Sequence, residues 1–220
     1  MTEYKKDKKP DETGTVKMQG HVLITDKNTG EVLVDKNNAI HFGNMAFTLA
    51  TALSHHTLNQ SGIYWMGFGN GGSDVLSTGS IKYKTTNTGT VKDTSSDLYN
   101  RTYYKNVAKP STTTSNSIVA TGDANNNIEI LSSTGAYTDL KVTCTLDFGE
   151  PSGQDASDTA TTDSDYIFDE LGLYAYYQDT SNSTLDITNS LLLSHVIFHP
   201  VQKSTNRQIE IVYTVRVQMQ

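Results

Sequence analysis

Arg207-Gln208-Ile209-Glu210-Ile211-Val212-Tyr213-Thr214-Val215-Arg216-Val217-Gln218-Met219 is the stretch that decides the fold. Ile209, Ile211, Tyr213, Val215, Val217 and Met219 share one side of an extended chain. Gln208, Glu210, Thr214, Arg216 and Gln218 share the other, and Val212 alone breaks the pattern. An extended backbone points successive side chains to opposite faces. A period of two held this long predicts a half-buried antiparallel strand.

Working outward, Leu140, Val142, Cys144, Leu146 and Phe148 alternate just as strictly, so Cys144 is expected in a core. Residues 166–176 and 191–198 read as two more strands. Pro200 cannot donate to a ladder and is expected to mark the end of the second. Residues 63–68 read as a buried strand running into Gly69-Asn70-Gly71-Gly72. Near the start, Val16, Met18, Gly20, Val22 and Ile24 share a face. A turn at 26–30, with Gly30 in the left-handed position, leads to residues 31–34. Shorter strands are expected around 98–104 and 128–131, within a tract rich in Thr, Ser and Asn. Only one segment has helical periodicity: Met45, Phe47, Leu49, Ala50 and Leu53, with Asn44 as the expected cap. Roughly seven to nine strands with one helix predict a mainly β protein, an antiparallel β-sandwich with one short α-helix at about 44–54 and long polar loops. Residues 1–15 read as an extended N-terminal arm, too polar to form a core of their own. Residues 16–220 read as a single β-sandwich domain.

Composition narrows the partners. Of 220 residues, 35% are hydrophobic and the formal net charge is -7. Binding through phosphates needs a basic face. Lys5, Lys6, Lys8 and Lys9 are offset by Glu3, Asp7, Asp11 and Glu12, so neither nucleic acid nor an anionic membrane is an expected partner. Cys144 is the only cysteine, which rules out an intrachain disulfide. No apolar run resembles a signal-peptide core or a membrane span. A soluble protein folded in a cytosol is expected, with Asn59, Asn100 and Asn182 as chance glycosylation matches.

Several constellations resemble chemistry. Gly67-Phe68-Gly69-Asn70-Gly71-Gly72 is a literal G-x-G-x-x-G after a strand. A phosphate cradle then needs a helix, and Ser73-Asp74-Val75-Leu76-Ser77-Thr78-Gly79 is a poor one, so a tight loop is expected. Asp147, Glu150, Asp155, Asp158, Asp163, Asp165, Asp169 and Glu170 carry no Lys or Arg between them. They lack the ordered spacing of a calcium loop and read as a solvated acidic loop. Asp169 and Glu170 are expected on opposite faces of a strand, which disfavours a glycosidase pair. Among His21, His41, His55, His56, His195 and His199, the last two fall on one strand face, yet nothing completes a metal site. No Ser-His-Asp arrangement stands out. Tyr99, Tyr103 and Tyr104, and separately Tyr174, Tyr176 and Tyr177, suit a protein interface, or less readily a sugar platform. No catalytic, cofactor-binding or metal-binding residue is expected.

Three ordered segments carry a resemblance. They are residues 33–45 leading through the helix to Met66-Gly67-Phe68-Gly69-Asn70-Gly71-Gly72, then Phe168-Asp169-Glu170-Leu171-Gly172-Leu173, then residues 192–203 and the final strand. Their order resembles structural proteins of tailed bacteriophages, especially of marine T4-like myoviruses. The E-L-G-L strand, the F-x-P-x-x-K run from Phe198 to Lys203 and a long closing strand also look like phage tail and baseplate proteins. The resemblance implies a non-enzymatic virion component of tail, baseplate or neck. Such a component is assembled in the host cytoplasm, self-associates and docks on other virion structural proteins. The alternatives are a capsid-surface decoration protein, or a carbohydrate or receptor-binding module using the Tyr and carboxylate loops.

Overall fold

A computed structural model describes residues 14–54, 62–107, 125–131, 135–154, 156, 166–176 and 187–219. The architecture is mainly β: two antiparallel five-stranded sheets face each other as a sandwich, with one α-helix among the described residues. The expected fold class is the one observed. The arm, residues 1–13 above all, lies outside the described residues.

The strands in chain order are β1 (Val16–Asp26), β2 (Val32–Asn37), β3 (Ala39–Ile40), β4 (Ile63–Gly69), β5 (Ser73–Val75), β6 (Ile81–Tyr83), β7 (Arg101–Asn106), β8 (Asn126–Leu131), β9 (Tyr137–Leu146), β10 (Tyr166–Tyr176), β11 (Ser190–Lys203) and β12 (Ile209–Met219). The helix α1 (Phe42–Leu53) separates β3 from β4. The first sheet runs β2-β1-β12-β9-β8 and the second β3-β11-β10-β4-β7, while β5 and β6 form a separate hairpin. Sequence periodicity missed β3, β5 and β6 because two or three residues are too few to show a period.

Alternation places the core. Val22, Ile24, Val142, Cys144, Leu146, Ile209, Ile211, Tyr213 and Val215 face inward from the first sheet. They meet Met66, Phe68, Phe168, Leu171, Leu173, Val196 and Phe198 of the second. Phe168 sits edge-on to both Phe68 and Phe198, at centroid separations of 5.5 and 5.8 Å, an arrangement that adds to plain area burial. The Tyr213 hydroxyl donates to Ser194 Oγ at 2.6 Å, joining the two sheets through their shared interior. At one end Met18 and Ile63 border both this core and a second cluster of Ile40, Met45, Ala175, Leu191 and Leu193, so the helix extends the interior. Past Val215 the final strand outruns the core, and Met219 is 57% exposed.

Four local expectations are corrected. The helix begins at Phe42, not Asn44, because His41 is its cap: the His41 imidazole accepts the Asn44 N–H. Asn44 is instead buried, and its amide spans the backbones of Asp93 and Leu192. Pro200 does not end its strand, since β11 continues to Lys203. Between the pairs Glu170–Ile197 and Phe168–Val201, Asp169 alone stands opposite Phe198, His199 and Pro200. A bulge tolerates the missing N–H. Phe148 lies beyond the end of β9 and is exposed, so the core face there stops at Leu146. Opposite that bulge in β11, β10 changes phase, so Phe168 and Leu171, three residues apart, both reach the core.

Candidate functional site

The two sheets treat their outer faces differently. In the second sheet, β10 and most of β11 are buried on both sides. Residues 84–100 form a strap across that outer face, where Leu98 packs with Tyr174, Ile187 and Leu192. The strap is irregular, so its backbone groups need partners, and buried side chains supply them. His195 Nδ1 accepts the Asn87 N–H at 2.8 Å, His41 pairs with Ser96 at 3.1 Å, and Asn44 Oδ1 accepts the Asp93 N–H. The Tyr174 hydroxyl reaches Asp97 at 2.5 Å.

Glu170 is the centre of this arrangement. Its carboxylate is wholly buried and accepts the N–H groups of Gly71, Tyr99 and Asn100, while His195 Nε2 lies 3.0 Å away. Burial pushes this carboxyl up, but hydrogen bonds from His195, Asn100 and Tyr99 outweigh it and hold the group below its ordinary range. Asp169 accepts from Gly72 and Ser73, and burial raises it against those bonds. The two acidic residues therefore serve one glycine loop. The expectation that they point to opposite faces fails because the alternation of β10 is broken at Asp169, opposite the bulge in β11. The G-x-G-x-x-G run is followed by β5, not by a helix. The amides of Gly71 and Gly72, which would cradle a phosphate, are filled by these two carboxylates.

The rest of the acidic run divides. Asp155, Asp158, Asp163 and Asp165 lie outside the described residues. Asp147 and Glu150 are engaged: Lys105 Nζ meets Glu150 at 2.5 Å and Gln208 donates to Asp147. Lys203, 1% exposed, gives its three N–H bonds to the carbonyls of Asp147, Glu150 and Ser204. Burial draws its pKa down to about 8, against the pull of Glu150 and Asp147. A solvated acidic loop is thus the wrong description for Asp147, Glu150, Asp169 and Glu170. Their partners come from segments far off in sequence, where no local pattern signals them. Among the described residues, no three His, Cys, Asp or Glu side chains are grouped to hold a metal.

His195 is buried, whereas His199 is exposed beside the Tyr83 hydroxyl. His55 and His56 lie outside the described residues. Tyr103, Tyr174 and Tyr176 are buried and give no sugar-stacking platform, and Tyr177 lies outside the described residues. Tyr99 and Tyr83 are the exposed tyrosines that border the strap, with Lys84 Nζ 4.9 Å from the Tyr99 ring centre.

The first sheet presents the opposite surface. Its strands β1 and β12 alternate buried and accessible residues, and no described element crosses their outer face. Charges there are matched across neighbouring strands: Arg216 grips Asp139 with two bonds of 2.7 Å, His21 meets Asp35 at 2.7 Å and Lys141 approaches Glu129 at 3.8 Å. Leu23 and Val212 stand side by side on the same face, half-buried. Where β2 ends, a cleft of about 650 Å³ opens beside Met18, Gly20 and Phe42.

No known protein family, curated protein or solved structure matches the chain.

Proposed function

We propose that this chain is a non-enzymatic structural component of a tailed-phage particle, in the tail, baseplate or neck, acting by self-association and docking on other virion proteins. One observation carries the reading. The outer face of one sheet is sealed by the chain's own strap, while among the described residues nothing covers the other, which is broad and charge-matched. A surface of paired charges around half-buried Leu23 and Val212 suits docking, because it stays soluble alone yet loses few unpaired charges when covered.

The residues behind the phage resemblance have scaffold roles that support the same reading. Glu170 of the E-L-G-L strand ties the glycine loop and the strap. Gly172 lets Leu98 and Leu192 close over the sheet, since a Cβ there would lie 2.7 Å from Leu192 and 3.1 Å from Leu98. Lys203 of the F-x-P-x-x-K run holds the turn after β9. Buried polar groups are spent on holding loops in place, as suits a protein whose product is a surface. The test is an immunoblot of purified particles of the phage that encodes the chain. A fixed copy number per particle that survives stringent washing is expected. Its absence from particles, with the chain left in the lysate, overturns the proposal.

A further inference from the structure

We propose that residues 9–13 of a second copy add as an extra strand to the open edge of β1. This rests on the self-association proposed above and names its contact.

The open edge follows from register. β12 pairs with the whole of β1, from Val16 opposite Met219 to Asp26 opposite Ile209. β2 pairs only with residues 21–25 of β1. Gly20 O accepts the Asn38 N–H at 3.1 Å, and there the chain turns away, because β3 joins the other sheet through Ser194 and His195. Backbone groups alternate along a strand. Since Gly20 aims its carbonyl toward β2, Met18 and Val16 aim their N–H and C=O groups the same way, past the end of β2. The cleft of about 650 Å³ borders this stretch, lined by Met18, Gln19 and Gly20 of β1 and by Asn37 and Asn38 where β2 ends. Met18, Ile40 and Phe42 give it apolar walls, and Phe42 is 60% exposed. The contrast with β7 is informative. There the Gln154 side chain takes both the N–H and the C=O of Tyr104, occupying that edge as a strand would. Among the described residues nothing guards this ladder edge, and such an edge beside an apolar cleft is a template for strand addition.

The occupant is argued from the chain itself. Thirteen residues precede Gly14, which stands two positions before the open edge. Extended, they span up to about 45 Å, enough to reach a neighbouring subunit. Gly14 is outside the left-handed backbone region, so the chain does not enter β1 through the two-residue hairpin turn that starts on a left-handed glycine. Pro10 then fixes the parity of an antiparallel pairing. It lacks an N–H, so it must face an odd-numbered residue of β1, where its nitrogen points to solvent. Pro10 opposite Gln19 sets Asp11 opposite Met18, Glu12 opposite Lys17 and Thr13 opposite Val16. Lys17 forms no ion pair among the described residues and would gain one with Glu12. Pro10 on the new outer edge also stops a further strand from adding.

The test uses full-length chains. Glu12→Cys and Lys17→Cys variants, mixed and oxidised, should give a disulfide-linked dimer, whereas Glu12→Cys mixed with Thr25→Cys should not. Val16→Pro removes an open-edge N–H without touching the β12 ladder, and Val16 is exposed and outside the core. It should abolish the oligomer seen by light scattering while leaving the melting temperature unchanged. An internal disulfide in a monomeric Glu12→Cys/Lys17→Cys double variant would put the arm on its own edge and overturn the proposal. So would an oligomer that survives deletion of residues 1–13, although self-association would then still stand. A full chain that is monomeric in solution yet present in particles would overturn arm exchange and leave the particle role intact.

Discussion

Glu170 and His195 meet at 3.0 Å with neither side chain exposed. Because His195 Nδ1 accepts the Asn87 N–H, the ring hydrogen lies on Nε2 and points at the carboxylate. One charged group thereby fixes a histidine, a glycine loop and two backbone amides of the strap.

Glu170→Ala should be among the most damaging single changes. It leaves three buried N–H groups and an imidazole without their acceptor, a loss of about 3–5 kcal/mol. Glu170→Gln keeps the shape but turns an amide toward a donor, and should fall between. Urea denaturation of the three proteins checks the order. Equal midpoints would show that the network is dispensable.

Gly43→Ala sets two effects against each other. Alanine favours a helix over glycine by up to about 1 kcal/mol. At Gly43, however, a Cβ would collide with the backbone of Val91 and Lys92 in the strap, and backbone cannot yield as a flexible side chain can. Overpacking of about 1–3 kcal/mol should win. Reduced stability and faster amide exchange across residues 87–96 are expected. A more stable variant would mean the strap is not seated against α1.

Acid should loosen the strap first. Burial holds the His41 imidazole below its ordinary value of 6.5, so the unfolded chain binds that proton more readily. The contribution of neutral His41 is whole above pH 6.5 and is lost as pH falls from there through the lower folded value. Glu170, Asp93 and Asp26 are also lowered. They add losses further into acid, as pH falls from their unfolded values through their folded ones. Asp169, which is raised, acts with the opposite sign. His41→Asn keeps a good capping side chain but removes one titration. Its stability should fall less steeply below pH 6.5 than that of the parent, in denaturation series across pH. Parallel slopes would contradict the role given to His41.

Lys203→Met should cost about 2–4 kcal/mol, because three carbonyls lose their donors together. Thermal unfolding checks this. A neutral effect would mean that water replaces the ammonium without penalty.

Long elements were legible in the sequence because burial imposes a period. The alternation from Ile209 to Val215 and from Leu140 to Leu146 placed the core of the first sheet. What defeated reading was departure from a single period. β10 changes phase at Asp169, opposite the bulge in β11, Pro200 survives inside a strand at that bulge, and β3 is too short to show a pattern. The candidate site was less legible. Glu170, Lys203 and His41 act through partners far off in sequence; those of Glu170 lie 25 to 99 positions away, from His195 to Gly71. A local reading could see acidic and histidine content but not what each group holds. The Asn44 amide illustrates this: a good capping residue by type, it is used as a spacer between two distant backbones.

The most direct measurement is a density map of the assembled phage particle, resolved well enough to trace side chains. The account predicts this sandwich in repeated copies, with the Leu23 and Val212 face covered by a neighbouring virion protein and the second sheet's strap left intact. A particle without the chain, or one in which that open face looks only onto solvent at every copy, would contradict it.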